Sequence, residues 1–461
     1  MSVLITAAAA IAQVATPIKW ACIGNSITDG DNSYPSRLAG RLGPAFKIEN
    51  DGVSGCTLLK RGDKPYWTQG KLANVFAFRP DIITIKLGTN DTKPQNWQYQ
   101  ADFVKDLTAM VDTLSGMSSK PQILLCLPVP IFPNTIDIRD PELNTGVIPR
   151  IKQVAAAKGL TVIDLNTPLK GMSGLYKDGV HPNDAGSDSI TAIIYRAFLA
   201  QATRVACIGN SITQYVGNVA GAVVLDAYPT KLNMLLGRKY VVLNAGVSGC
   251  YMLKPNSGIP TIMSYWNKGK FGEVFAFKPN MITISLGTND SRPKAWNTAK
   301  YVADYKAMID TLSGRIVPKP KIWLVKPIPA WQVNGIWPFS TPSGTTDNGI
   351  TGNTIRDSVI PAAQIVATQK DLPTIDLYPS FLALKSQVAD GVHPNAVGQD
   401  TIAHIIYRAI KEPVTSVGRY DATPPRADRP LRARALLPGP GSHSGWLFSL
   451  DGRAVSALPR E

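Results

Sequence analysis

Three residues of this sequence have the types that nucleophilic catalysis needs. Ser26 ends a Gly-Asn-Ser turn after an apolar segment, and His181 lies in an Asp-Gly-Val-His-Pro-Asn block. A serine hydroxyl becomes a nucleophile when an imidazole takes its proton and a third group orients that imidazole. Asp178, three residues before the histidine, is able to accept the imidazole N–H. Together the three residues predict acyl transfer.

Each of these residues also has a purely structural interpretation. Serine is a common N-cap of helices, and a histidine beside Pro-Asn can simply belong to a turn. Asn90 can cap a helix, and Gly55 can occupy a turn with positive φ. The catalytic interpretation is joint, because acyl transfer puts negative charge on a carbonyl oxygen. The backbone N–H groups of Ser26 and Gly55 and the Asn90 amide are a suitable set of donors for that charge.

Internal duplication supports the catalytic interpretation. Four blocks occur twice in the same order: Ala-Cys-Ile-Gly-Asn-Ser-Ile-Thr, Gly-Val-Ser-Gly-Cys, Leu-Gly-Thr-Asn-Asp and Asp-Gly-Val-His-Pro-Asn. The corresponding residues of the second copy are Ser211, Gly249, Asn289, Asp390 and His393. The offset between matching blocks grows along the chain, which indicates a duplicated domain with loop insertions. These insertions are expected at 215–227, 257–263 and 334–352.

The segments around the blocks alternate between strand and helix patterns. In the first copy, strands are predicted at 19–23, 46–49, 81–87, 122–127 and 161–164, and helices at 34–42, 103–114, 148–158 and 185–199. This alternation implies an α/β fold with a parallel sheet covered on both faces. Ligands bind at the carboxyl ends of such strands, where the repeated blocks fall. We predict domains at 17–200 and 201–412.

The order Ser, Gly, Asn, His in four short blocks resembles the SGNH (GDSL-type) hydrolase superfamily. The resemblance covers nearly all of both copies and implies tandem three-layer α/β/α, flavodoxin-like domains with central parallel sheets. It also implies metal-free ester hydrolysis, in which Asp178 and His181 activate Ser26 and the second copy acts likewise. Asn25 and Asn210 stand where the family's first block usually has Asp. Because the serine is retained and the triad Asp comes from the last block, little loss is expected.

Aromatic residues after the catalytic blocks indicate the substrate class. The residues concerned are Trp67, Trp97, Trp266 and Trp296. Either they pack in the ordinary way or they stack on sugar rings. Their blocks are similar to the sialate O-acetylesterase and acetylxylan-esterase-like branch, which implies acetyl esters of a small molecule or a polysaccharide.

Three alternatives to two acetylesterase sites stay open. The chain could be a broad short-chain arylesterase or lipase-like hydrolase. One copy could serve as a carbohydrate-binding module for the other. The whole protein could instead be a non-catalytic surface protein, an interpretation that its basic tail allows.

Composition restricts the partners. The net charge of +15 is compatible with nucleic-acid binding, but the basic residues are scattered and part of the excess lies after residue 412. No basic helix, zinc-finger spacing or RNA-binding signature is present, so a solvated basic surface without a nucleic-acid partner is expected. No apolar run reaches the ~18–20 residues that a membrane span needs.

The two ends of the sequence differ from its middle. Val3–Ala15 is Ala-rich and uncharged, which favours a signal-peptide remnant at 1–16 and a secreted or periplasmic protein. Because no Lys or Arg precedes this stretch, a trimmed or cloned N-terminus is the alternative. The Pro/Arg-rich tail, 413–461, is predicted to be disordered over Thr415–Ser442. A strand-turn-strand pattern follows at Gly445–Val455.

The cysteines do not form a dense disulfide framework or a metal site. Cys22 matches Cys207 and Cys56 matches Cys250, whereas Cys126 is unmatched. None has Cys-X-X-Cys spacing or a nearby histidine cluster, so neither a metal nor a cofactor is expected. Buried free thiols are predicted, and a Cys22–Cys56 bridge with its counterpart is the alternative.

Overall fold

The computed structural model describes residues 14–219, 221–255, 263–339, 349–411, 446–448 and 454–457. Two five-stranded parallel sheets lie within them, each flanked by helices. The predicted α/β class, with one parallel sheet in each copy, is therefore confirmed. Residues 14–201 are called repeat 1 below, and residues 203–411 are called repeat 2.

The described residues of repeat 1 contain five strands, and they contain five helices that are at least eight residues long. The strands are β1 (Ile18–Gly24), β2 (Phe46–Gly52), β3 (Ile82–Lys86), β4 (Gln122–Leu127) and β5 (Thr161–Asp164). The helices are α1 (Tyr34–Leu42), α2 (Lys71–Phe78), α3 (Phe103–Ser115), α4 (Ile148–Lys158) and α5 (Asp184–Gln201). The strand order β2-β1-β3-β4-β5 is that of flavodoxin-like folds.

Repeat 2 has the same elements in the same order. Its strands are β6 (Thr203–Gly209), β7 (Tyr240–Gly246), β8 (Met281–Ser285), β9 (Lys321–Lys326) and β10 (Thr374–Asp376). Its longer helices are α6 (Tyr228–Leu236), α7 (Gly269–Phe277), α8 (Thr298–Arg315), α9 (Ile360–Lys370) and α10 (Ala396–Lys411). The sheet order β7-β6-β8-β9-β10 matches that of repeat 1.

Helices cover both faces of the first sheet. Helix α1 packs on α5, and α3 packs on α4. On β1, Trp20 meets Phe198 of α5, with ring centroids 5.0 Å apart. On β3, Ile85 lines a small internal void with Leu107 of α3 and Ile151 of α4. Trp20 pairs with Ile82, three positions before Ile85, and side chains alternate along a strand. The two helix pairs therefore lie on opposite faces, as a three-layer domain requires.

The strand register aligns the ends that carry the repeated blocks. Gly24, the last residue of β1, pairs with Gly52 of β2 and with Lys86 of β3. In repeat 2, Gly209 pairs with Gly246 and with Ser285 in the same way. The chain therefore leaves all three strands at one edge, where parallel sheets bind ligands.

Most predicted elements are confirmed, and the differences have a tertiary cause. The sequence pattern does not predict helix α2, because the helix begins after Gly70 and lacks the side-chain N-cap that usually marks a helix start. It forms by burying Val75 and Phe78. Strand β2 extends three residues beyond its predicted end, through Asn50 and Asp51, which have low strand propensity. Pairing with β1 overrides that propensity.

All five cysteines are free and buried. The buried-thiol interpretation is confirmed, and the alternative Cys22–Cys56 bridge is wrong. Cys22 lies in β1, an interior strand of the sheet, and burial raises the pKa of its thiol to about 12. Such thiols act as small core residues rather than nucleophiles.

The ends of the chain are described only in part. The predicted export segment lies almost wholly outside the described residues, and so does the predicted disordered stretch 415–442. The strand-turn-strand prediction has a counterpart in β11 (Trp446–Phe448) and β12 (Ala454–Ala457), which pair antiparallel. These strands belong to a separate compact unit, residues 416–461. Within the described residues, no helix has the length and apolar character needed to cross a membrane.

Lys86 is an unusual core residue of repeat 1. Its side chain is fully buried, and its ammonium group has no hydrogen-bond partner among the described residues. Repeat 2 has Ser285 at the matching position. Burial disfavours the charged form and lowers the pKa of Lys86 to about 7.

We expect Lys86→Met to raise the free energy of unfolding at pH 7. The unfolded chain keeps the Lys86 proton up to about pH 10.5, whereas the folded chain loses it near pH 7. Between these values the unfolded state binds more protons, so wild-type stability should rise with pH. In Lys86→Met that rise should be absent. Urea unfolding at pH 7 and pH 9 measures both effects, with Lys105→Met, at an exposed position on α3, as the control.

Candidate active site

A serine, a histidine and an aspartate of repeat 1 form a hydrogen-bonded chain. Ser26 follows β1, and His181 and Asp178 lie in the loop before α5. The His181 Nε2 atom is 2.9 Å from Ser26 Oγ. Its Nδ1 atom is 2.7 Å from Asp178 Oδ2. The fold therefore brings together groups that are 155 positions apart in sequence.

Backbone hydrogen bonds hold the histidine loop in shape. Asp178 Oδ1 accepts the backbone N–H groups of Val180, at 3.0 Å, and His181, at 2.7 Å. Desolvation acts to raise the pKa of Asp178, but these bonds and the imidazole outweigh it and lower the pKa to about 2. An ionised carboxylate facing Nδ1 favours the tautomer with hydrogen on Nδ1. The Nε2 lone pair is then free to accept the Ser26 proton.

Repeat 2 reproduces this arrangement. His393 Nε2 lies 2.8 Å from Ser211 Oγ, and Nδ1 lies 2.6 Å from Asp390 Oδ2. Asp390 Oδ1 accepts the backbone N–H groups of Val392 and His393. Burial opposes these bonds, yet the net effect lowers the pKa of Asp390. Both repeats thus hold an oriented imidazole against a serine hydroxyl.

The predicted oxyanion donors lie in loops that follow strands adjacent to the serine strand. Gly55 and Gly249 have φ of +78° and +71°, a conformation that explains why glycine occurs there. The side-chain amides of Asn90 and Asn289 each donate one hydrogen bond, to Cys56 O at 3.0 Å and to the Cys250 carbonyl at 2.9 Å. The second amide hydrogen of each asparagine is left for another acceptor.

In repeat 1, two backbone donors are also available. Neither the Ser26 nor the Gly55 backbone N–H group donates a hydrogen bond to another described residue. Uncommitted donors beside a nucleophile are what stabilisation of an oxyanion requires.

Sequence reasoning missed a buried aspartate in each Leu-Gly-Thr-Asn-Asp block. Asp91 is fully buried and accepts the backbone N–H groups of Leu58, at 3.0 Å, and Leu59, at 2.8 Å. Asp290 does the same for Met252 and Leu253, at 3.0 and 3.1 Å. Burial raises the pKa of Asp91 to about 6, while these hydrogen bonds act in the opposite direction. The carboxylates therefore fix the chain just after Gly55 and Gly249. The sequence did contain a signal for this role, because both copies of the block keep an aspartate shortly after a buried strand.

A second missed contact holds Ser54, the residue before Gly55. Asp29 Oδ2 accepts the Ser54 N–H at 3.1 Å and its hydroxyl at 2.7 Å. In repeat 2, Gln214 accepts the Ser248 N–H at 2.6 Å. Because aspartate is replaced by glutamine at matching positions, comparing the two copies could not reveal this role.

The asparagines that replace the family's usual aspartate keep a local role. Asn25 Oδ1 accepts the Ile27 N–H at 3.1 Å, and Asn210 Oδ1 accepts the Ile212 N–H at 3.0 Å. A carboxylate oxygen would accept the same bond. The turn can therefore keep this hydrogen bond with either asparagine or aspartate.

The four tryptophans predicted to bind substrate are half-buried and have partners within the chain. Lys60 lies 4.0 Å above the Trp67 ring, and Lys254 lies 4.6 Å above its counterpart, Trp266. Trp97 packs edge-on against Phe103, with centroids 6.3 Å apart, and Trp296 packs against Tyr301. These contacts account for the rings as packing residues. Stacking on sugars stays a prediction.

The arrangement supports nucleophilic acyl transfer by the chain's own side-chain and backbone groups. It contains a hydroxyl, an oriented base and nearby N–H donors, which are the parts that such chemistry uses. Within the described residues, no group of three or more His, Cys, Asp or Glu side chains is arranged to hold a metal ion.

Comparison with known proteins gives matches to both repeats. The model of the GDSL-like Lipase/Acylhydrolase family matches residues 22–188 and 207–401. An acetylxylan esterase of Xylanibacter ruminicola is 38% identical over an alignment of 205 residues, and the match covers 39% of this chain and 43% of that protein. The match therefore spans less than half of that relative's length.

Solved structures of esterases are also similar. An acetylxylan esterase from Geobacillus stearothermophilus is 22% identical, with a TM-score of 0.32, over 40% of this chain and 95% of that chain. A carbohydrate acetylesterase from Sinorhizobium meliloti is 16% identical, with a TM-score of 0.34, over 45% and 97%.

We expect a fluorophosphonate probe to label the protein at two serines, Ser26 and Ser211. Each label requires its own imidazole, because a serine without a base is a poor nucleophile. His181→Ala should therefore lose the label on Ser26 and keep that on Ser211. Peptide mass spectrometry locates the labels. His404→Ala, at a histidine on α10 outside both arrangements, is the control, and labelling of Ser26 in His181→Ala would contradict the assignment.

Proposed function

We propose that this chain, which belongs to the GDSL-like lipase/acylhydrolase family, hydrolyses carboxylic esters at two serine sites, one in each repeat. One observation carries the proposal: in both repeats an aspartate-oriented imidazole lies within hydrogen-bonding distance of a serine hydroxyl, at 2.9 and 2.8 Å. A serine that only caps a helix, or a histidine that only belongs to a turn, does not need to contact the other. Here the two residues are in contact in both repeats.

Acylation follows from the geometry of repeat 1. His181 Nε2 takes the proton of Ser26 as Oγ forms a bond to the ester carbonyl carbon. Asp178 accepts the Nδ1–H and stabilises the cationic imidazole. The N–H groups of Ser26 and Gly55 and the Asn90 amide stabilise the oxyanion. When the tetrahedral intermediate collapses, the bond to the alcohol breaks and the alcohol leaves with the proton from His181.

Deacylation uses the same groups in the reverse sense. His181 takes a proton from water, whose oxygen attacks the acyl-serine, and then returns the proton to Ser26 Oγ as the acid is released. Ser211, His393 and Asp390 carry out the same cycle in repeat 2.

The substrate we propose is an acetyl ester on carbohydrate. The similarity to a relative named an acetylxylan esterase supports this class, as does the resemblance of the tryptophan-containing blocks. An enzyme that removes acetyl groups from a polysaccharide meets its substrate outside the cell, so we also propose a secreted or periplasmic location.

Chain-length dependence tests the acyl group. With p-nitrophenyl esters, turnover is expected to be highest for acetate and to fall as the acyl chain lengthens, and acetylated xylan should lose acetate. Equal or better turnover of long chains would favour the broad lipase-like alternative.

Replacing the two serines tests the number of sites. Ser26→Ala and Ser211→Ala should each retain part of the p-nitrophenyl acetate activity, and the double variant should lose activity by roughly 1,000-fold or more. Steady-state rates of the three purified variants measure this. If one single variant were inactive and the other fully active, a single catalytic copy would be indicated. Unchanged rates in the double variant would exclude the proposed function.

Asp91→Asn should lower kcat at the first site by about 10-fold or more, with little change in KM. In the variant, the amide NH2 group of the asparagine faces one of the two loop N–H groups, so one hydrogen bond is lost and the loop shifts. A shift of the oxyanion donors weakens binding of the transition state more than binding of the substrate. The measurement uses the Ser211→Ala background, where only repeat 1 can turn over. Asp290→Asn in that background is the matched control and should have no effect. An equal loss in both variants would indicate a general folding defect.

A further inference from the structure

The two repeats present the same reactive groups in different surroundings. The His181 side chain is 34% exposed, whereas that of His393 is only 7% exposed. Phe339 contacts His393, and its ring lies edge-on to the imidazole, with centroids 5.6 Å apart and planes at 73°. An aromatic ring therefore borders one proposed site.

This ring comes from a segment that differs in length between the repeats. Residues 332–349 of repeat 2 replace residues 133–137 of repeat 1. Each segment is followed by a matching hydrogen bond to the hydroxyl that comes directly after the Leu-Gly-Thr-Asn-Asp block. The Arg139 N–H donates to Thr92 Oγ1 at 3.0 Å, and the Thr351 N–H donates to Ser291 Oγ at 3.2 Å. Residues 340–348 of the longer segment lie outside the described part of the chain. Its described residues include Phe339, which lies beside His393.

One hydrogen bond holds the backbone of Phe339 beside the site. The Arg292 Nη1 atom donates to the Phe339 carbonyl at 3.2 Å. Phe339 has φ of +58°, which is uncommon for a bulky residue and costs conformational energy. Phe339 is 52% exposed, so it borders the pocket without being packed into the core.

The resulting pocket in repeat 2 is small. Its volume is about 270 Å³, and Ser211, Arg292, Phe339, Ile350 and His393 are among its lining residues. Small-molecule pockets usually measure about 300–1,000 Å³. The space therefore suits one small acylated molecule better than a segment of polymer.

We infer that Phe339 makes the second site selective for esters of small alcohols, whereas the first site accepts esters on a polymer. The inference rests on the proposed function. The imidazole gives its proton to the leaving alcohol, so a ring against His393 lies on the alcohol side of the site. His181, with its greater exposure, leaves that side open to a long chain.

Single-site variants test this selectivity. Ser211→Ala, active only at the first site, and Ser26→Ala, active only at the second, are each assayed on p-nitrophenyl acetate and on acetylated xylan. The ratio of the xylan rate to the p-nitrophenyl acetate rate is expected to be about 10-fold or more lower for Ser26→Ala. Adding Phe339→Ala to Ser26→Ala should raise that ratio toward the value for Ser211→Ala.

Controls separate this inference from the function on which it rests. Ile365→Ala, an exposed position on α9, should leave the ratio of Ser26→Ala unchanged. Equal ratios in the two single-site variants, no response to Phe339→Ala, or no p-nitrophenyl acetate turnover by Ser26→Ala would overturn the inference. Unchanged turnover in Ser26→Ala/Ser211→Ala would instead overturn the proposed function.

Discussion

The shared edge of three parallel strands is the constraint on which both candidate sites depend. Because Gly24 pairs with Gly52 on one side and Lys86 on the other, three consecutive blocks leave the sheet at the same level. Ser26, Gly55 and Asn90 each follow one of these strands within a few residues. The loop before α5 brings the imidazole to that point from across the domain, and the same register recurs in repeat 2.

Carboxylates hold this edge in a fixed geometry. The buried Asp91 and Asp290 each accept two backbone N–H groups from the chain after Gly55 or Gly249. Asp178 and Asp390 each hold two N–H groups of the histidine loop while facing the imidazole. Burying a charge is costly unless hydrogen bonds satisfy it. The buried Asp91 and Asp290 meet that condition, whereas Lys86, which takes no part in the sites, does not.

Duplication has preserved the two sites more closely than their surroundings. The serine–imidazole distances differ by only 0.1 Å between the repeats. Away from these groups, Lys86 of repeat 1 corresponds to Ser285, and the segment leading to Phe339 is much longer than its counterpart. Reaction geometry tolerates little displacement, whereas surface loops accept insertions at small entropic cost. Two copies can therefore share one chemistry and differ in access.

The sequence alone was sufficient to predict the fold class, the succession of strands and helices along the chain, and the residues whose types suit catalysis. Alternation of strands and helices is local information, and a block that occurs twice identifies the polar residues that are retained, such as Ser26 and His181. Other features depended on tertiary structure. Helix α2 and the end of β2 are stabilised by packing and pairing rather than propensity, and Asp29 acts through Ser54, a contact that no spacing predicts. The exposure of His181 and the contact of His393 with Phe339 were likewise decided only by folding, because access to a site depends on residues that are distant in sequence.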